Sequence, residues 1–149
     1  ASVYNDIGEI YSVQGDDFKA LDYFKKSLKI VLSVYGENHS QVSSIYDHIG
    51  EVYFAQKDYS KALYYFEESL KIRLSLFGEN HPEVALSYYS IGSLYIIQGD
   101  KSKALNYYEK SLKIRLSVYG ENHPLTKEIM DLINVAANSK VLQSPETTK

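Results

Sequence analysis

The sequence predicts an all-α solenoid built from three tandem helical hairpins and closed by a C-terminal capping helix. Three observations carry this: a repeat of 42 residues, apolar stripes of helical period within each repeat, and no stretch with the period-2 alternation of a strand. Gly36-Glu37-Asn38-His39 recurs as Gly78-Glu79-Asn80-His81 and as Gly120-Glu121-Asn122-His123. The same offset carries Ile7-Gly8 to Ile49-Gly50 and Ile91-Gly92, and Ala20-Leu21 to Ala62-Leu63 and Ala104-Leu105. Between the second and third units about 24 of 42 positions are identical, which makes this a tandem array. A fixed period in this range belongs to solenoids and propellers, and the lack of strand patterning excludes propellers and leucine-rich horseshoes.

The elements follow in order. Ala1-Ser2-Val3 aligns with Ser43-Ser44-Ile45, so the chain is expected to begin one turn inside a first helix and reads as a fragment. In the second unit Val42, Ile45, Tyr46, Ile49, Val52 and Tyr53 fall at 0, +3, +4, +7, +10 and +11, the stripe of an amphipathic helix. Tyr59, Ala62, Leu63, Phe66, Leu70, Leu74 and Phe77 form a second stripe. The break between them is Gln56-Lys57-Asp58, or Gln98-Gly99-Asp100 in the third unit, where glycine suits a helix stop and aspartate caps the next helix. The second helices end near Gly36, Gly78 and Gly120, while Pro82 and Pro124 stand where a first-turn proline is tolerated. The units are thus 1–39, 40–81 and 82–123. A capping helix over 124–138 keeps Ile129, Met130, Ile133 and Ala137 on one face and completes a single domain over 1–138. Residues 139–149 lose periodicity and are expected to be a flexible tail.

Gly8, Gly50 and Gly92 fall in mid-helix, where each costs about 1 kcal/mol relative to alanine. Close approach of the partner helix at Ala20, Ala62 or Ala104, near Ser27, Ser69 or Ser111, would offset that cost. Phe24, Phe66, Tyr108 and the tyrosines would fill the surrounding space.

These residues resemble a known family. Tyr46, Ile49-Gly50, Tyr53, Ala62, Phe66 and Ser69 follow the tetratricopeptide repeat signature of aromatic, Leu-Gly, Tyr, then Ala, Phe, Ala; the other two units match it as well, from residue 1 to about 123. The 42-residue period and the Gly-Glu-Asn-His-Pro connector are similar to the kinesin light chain type of repeat. Departures are Leu32, Leu74 and Leu116 in place of the usual proline, Lys101 where the second unit has Tyr59, and serine for alanine at 27, 69 and 111. The resemblance implies a right-handed superhelix, a non-catalytic scaffold for proteins or peptides, and a concave groove lined by the first helices.

Composition narrows the chemistry. The 149 residues carry 16 Lys+Arg against 19 Asp+Glu, a net charge of −3, which argues against a nucleic-acid partner. No apolar run reaches the roughly 18 residues of a membrane span, and no signal pattern opens the chain. With no cysteine, a cytoplasmic protein is expected. His39, His81 and His123 occupy equivalent connectors, too far apart to share a metal, and are expected to bond within helix starts. His48 beside Asp47 is no triad, because neighbours on a helix point about 100° apart. Phosphate-loop, HExxH and EF-hand patterns are missing, so no enzyme, cofactor or metal is expected. Lysines of the second helices have acidic partners, such as Asp22 to Lys26 and Glu67 to Lys71, and read as a solvated face.

Outside the core stripes of the first helices, the i, i+4, i+7 spacing groups Asn5, Glu9 and Ser12; Asp47, Glu51 and Phe54; and Tyr89, Ser93 and Ile96, with Asp6, His48 and Ile97 nearby. By the resemblance these residues line the groove, acidic and polar over two units and apolar in the third. Family members that clamp a terminal carboxylate use Lys and Asn at the places held here by Asn5, Glu9, Asp47 and Glu51, so that clamp is absent. Only Asn5 matches the groove asparagines of kinesin light chains. The expected partner is a peptide or helix that sets Lys or Arg against Glu9, Asp47 and Glu51 and an apolar residue against Tyr89 and Ile96. Two other readings are self-association through the solenoid ends and a sensor array whose catalytic domain lies outside this chain.

Overall fold

A computed structural model describes residues 1–139, so all but the first residue of the expected tail lies outside the described residues. Seven helices, and no strand, occur among these residues: α1 (Ser2–Val13), α2 (Asp17–Tyr35), α3 (Ser40–Ala55), α4 (Tyr59–Phe77), α5 (Pro82–Ile97), α6 (Lys101–Tyr119) and α7 (Pro124–Asn138). Each packs chiefly on its neighbours in sequence, giving three hairpins and a final helix laid on α6.

Local chemistry sets the boundaries. Asp16, Asp58 and Asp100 accept from the backbone N–H three residues on, at 3.1–3.2 Å, and start the second helices. His39, His81 and His123 start the following helices by an Nδ1 that accepts from the N–H two residues on. Their rings stack on Tyr35, Phe77 and Tyr119 at 4.2–4.3 Å, so the connector histidines are structural caps. Gly15 and Gly99 take φ of 77° and 80° in the turns inside the hairpins; the same turn in the second unit holds Lys57 at φ 61°, a conformation costly for a side chain with a Cβ.

The core lies both within hairpins and across the joints between them. Ala20, Phe24 and Val31 of α2 meet Val42, Ile45, Ile49 and Val52 of α3, and Ala62 and Phe66 of α4 meet Ile91 and Leu94 of α5. The mid-helix glycines sit under aromatic rings: a Cβ on Gly50 would stand 2.7 Å from the Phe66 ring, with the Ala62 carbonyl oxygen beyond it at 3.4 Å. Phe24 covers Gly8 and Tyr108 covers Gly92 in the same way, so the ring, rather than the alanine, makes the closest approach. Ser27 and Ser111 donate to the carbonyls of Ala1 and Ala85 at 2.8 Å, a helix-to-helix bond an alanine could not make. On the edge of each hairpin a second-helix tyrosine lies between two from the first helix, as Tyr65 does between Tyr46 and Tyr53 at 5.7 Å each.

The capping helix corrects one expectation. Ile129 and Thr126 are fully buried and Ala136 nearly so, whereas Ala137 is exposed. From Ile129, position 136 lies about 20° off the buried line and position 137 about 80° off. Lys101, unlike its counterpart Tyr59, donates its Nζ to the carbonyls of Ala137 (3.2 Å) and Ser139 (2.9 Å) and closes the end of α7.

Candidate functional site

Helices α1, α3 and α5 carry the predicted groove residues, and the first two units join theirs directly. Asn5 Nδ2 donates to Glu9 Oε1 at 2.6 Å one turn away. His48 of α3 places Nδ1 3.1 Å from Asn5 Oδ1 and Nε2 3.7 Å from Glu9 Oε1. An oxygen facing Nδ1 requires the proton on that nitrogen. The His48 ring rests on Phe24 at 5.2 Å, which ties this polar cluster to the core. Glu9 is half exposed, and Glu51 as a whole residue is exposed. Burial around its carboxyl pushes Glu51 above the ordinary glutamate range, opposed by His48 and reinforced by Asp47 and Glu9.

Asp47 is not an open acid. Arg73 of α4, itself buried, reaches it at 2.6 Å and also donates to Ser87 Oγ (2.8 Å) and pairs with Glu83 (3.1 Å) of α5. Burial raises the Asp47 carboxyl and Arg73 works against that rise. Of the three carboxylates expected to meet a basic partner, Glu9 and Glu51 keep their access and Asp47 is taken by the protein's own guanidinium.

The third unit repeats this geometry with other side chains. Tyr89, the counterpart of Asp47, lies beneath Arg115 at 5.2 Å, and Arg115 donates to the Leu125 carbonyl at 2.7 Å and faces Glu128 at 3.5 Å. Ser93 and the Tyr108 hydroxyl share a 3.1 Å hydrogen bond, and Phe54 packs edge-on to Tyr59. Ile96 and Ile97 remain 38% and 51% exposed, an apolar end to the row. Ser12 is half-buried on α1. Sequence reasoning gave Arg73 and Arg115 no role in the site. Their signal is spacing: Ala62, Phe66, Ser69 and Arg73 fall at 0, +4, +7 and +11, one continuous buried line.

Among the described residues no His, Asp and Glu side chains group as a metal site would require, and no helix is long and apolar enough to cross a membrane. The family model for the tetratricopeptide repeat matches residues 1–75 and again 42–117. Among solved structures, BtubC (BKLC) from P. vanneervenii is similar at 21% identity and TM-score 0.76, covering 99% of this chain and 68% of that one. A putative kinesin light chain from Podosopora anserina with nearly identical TPR-like repeats is similar at 16% identity and TM-score 0.78, over 91% of this chain and 64% of that one. The N-terminal domain of stress-induced protein-1 (STI-1) from C. elegans follows at 21% identity and TM-score 0.61, over 87% and 91%. At such identities the likeness shows the fold, and the chain spans only about two thirds of the first two proteins. No curated protein matches.

Proposed function

The chain belongs to the tetratricopeptide repeat family, with repeats of the kinesin light chain type, and on that premise we propose that it holds a peptide or partner helix along the groove face of α1, α3 and α5. The fold is generally a protein-protein interaction scaffold, and its families are typically non-catalytic. The observation that carries the finer reading is the Asn5, Glu9, His48 and Glu51 cluster, where two accessible carboxylates lie close together and, among the described residues, no lysine or arginine pairs with either. A partner's Lys or Arg would meet Glu9 and Glu51, and an apolar side chain would meet Tyr89, Ile96 and Ile97. On this reading residues 1–138 act as one array in the cytoplasm, with neither nucleic acid nor membrane as partner.

Peptide display against the chain and against a folded Glu9→Lys, Glu51→Lys variant tests this. Enrichment of basic peptides with an apolar anchor that vanishes in the variant is expected; equal enrichment by both would sink the reading. Self-association has its own observation: Ile96 and Ile97 of α5, next to Tyr89 on the groove row, are 38% and 51% exposed. Sedimentation over a hundredfold concentration range separates the two readings, since a constant monomer mass excludes self-association.

A further inference from the structure

In the second and third repeats a buried arginine fills the space between a first helix, its second helix and the next first helix. Arg73 does so between Asp47 and Glu83, and Arg115 between Tyr89 and the carbonyl of Leu125. A shift of 42 residues to the first repeat replaces Arg73 by Val31, Asp47 by Asn5, Glu83 by Gln41 and Ser87 by Ile45. The guanidinium is gone, and both carboxylates that held it have become amides of nearly the same shape. At this place the structure has a cavity of about 180 Å³ whose lining includes Asn5, Asp6, Val31, Gln41, Ser44 and Ile45.

We propose that this cavity receives an arginine side chain from the bound partner, at the position that Arg73 and Arg115 fill from within the chain. Val31 and Ile45 suit the aliphatic stem. The amide oxygens of Asn5 and Gln41, the Ser44 hydroxyl and the Asp6 carboxylate surround the planar head with acceptors. Asn5 Oδ1 uses one lone pair toward His48 and keeps the other. Among the described residues no lysine or arginine side chain lines the cavity to repel the guest. The change from Asp47 to Asn5 has a physical reason: a largely buried carboxylate beside an empty slot would be costly, whereas a neutral amide tolerates both the empty and the filled state. Arginine is favoured over lysine because its fork of donors reaches several acceptors at once. Asn5 belongs to both groove and cavity, so the partner's route in rests on the groove reading, although the slot can be probed without it.

The 149-residue chain, acetylated at Ala1 so that no α-amino charge stands at the cavity edge, is titrated with acetyl-Gly-Arg-Gly-amide while backbone-amide NMR shifts are followed. Saturable shifts centred on Asn5, Gln41 and Ser44 are expected, several-fold weaker with the lysine tripeptide and absent with the leucine one. Val31→Arg should abolish them while the helical circular dichroism is kept. Asn5→Asp with Gln41→Glu, which restores the carboxylates of the second repeat, should tighten the arginine tripeptide by about tenfold. Equal shifts with leucine, or no tightening in the double variant, overturns the proposal even if Val31→Arg fails to fold. Loss of display binding with the tripeptide response intact would defeat the groove reading alone; display binding that survives in a folded Val31→Arg protein would defeat the slot alone.

Discussion

Gly50→Ala tests the packing rule on which the array is built. In an exposed helix interior the change would stabilise by about 1 kcal/mol, from lower backbone entropy in the unfolded chain. Here the new methyl would stand 2.7 Å from Cε1 and 2.8 Å from Cδ1 of Phe66, whose ring is 5% exposed and has little room to swing. Overpacking of this kind costs about 1–3 kcal/mol, so a net loss of about 1 kcal/mol is expected. Phe66→Leu removes the ring atoms that clash, and in that background Gly50→Ala should turn stabilising, a coupling of about 2 kcal/mol between the two sites. Urea unfolding of the four proteins, followed by circular dichroism, measures the cycle. Gly92→Ala should lose more, because Tyr108 is also held by its hydrogen bond to Ser93. A neutral or stabilising Gly50→Ala in the parent, or the same change in both backgrounds, would refute the close-approach account.

Removing Arg73 should be the most damaging single polar change: Arg73→Val leaves Asp47 buried without its partner and should cost about 3–5 kcal/mol. Adding Asp47→Asn and Glu83→Gln, which copies the first repeat, should recover most of that loss in the same urea titration. Lys57→Gly should raise the melting temperature, because φ 61° costs a lysine about 1 kcal/mol or more and the other two hairpins use glycine there. His81→Ala should lose about 1 kcal/mol with the cap to the Glu83 N–H, and His81→Asp should retain much of it. Glu51 is raised by burial, so the folded state favours its proton, and its contribution is present at low pH and lost as pH rises through its folded value. Glu51→Gln should therefore stabilise at neutral pH by less than about 1 kcal/mol, screened by water, with the gain closing as pH falls toward the ordinary carboxylate range; a pH series of melting curves checks the sign.

The helices, their order and their caps could be read in the sequence because each has a local cause. Apolar spacing marks the buried line, and Asp58 or Gly78 marks an end, without reference to distant residues. The groove was legible only as a set of helix positions. Which carboxylates stay open depends on α4 and α5 meeting α3, and that contact brings Arg73 to Asp47 from 26 residues away. Spacing showed that position 73 continues a buried line, but an arginine there invites assignment to water until its partners are known. Ala137 was misplaced for a simpler reason: in a helix with a single buried side, one residue decides between contact and solvent.

The buried arginines also make the three joints mechanically unequal. Charge-assisted hydrogen bonds are directional, so Arg73 and Arg115 resist twisting of α5 against α4 and of α7 against α6. The joint between the first two hairpins has Val31 in that position, packed with Val42 and Ile45, and its polar tie is the neutral Asn5–His48 hydrogen bond, weaker than a guanidinium held by carboxylates. Under tension the first hairpin should therefore yield before the others. On the groove reading, the acidic end of the array is then a compliant hinge on a stiffer two-repeat arm, adjusting its opening to a partner's girth while the pitch downstream stays fixed.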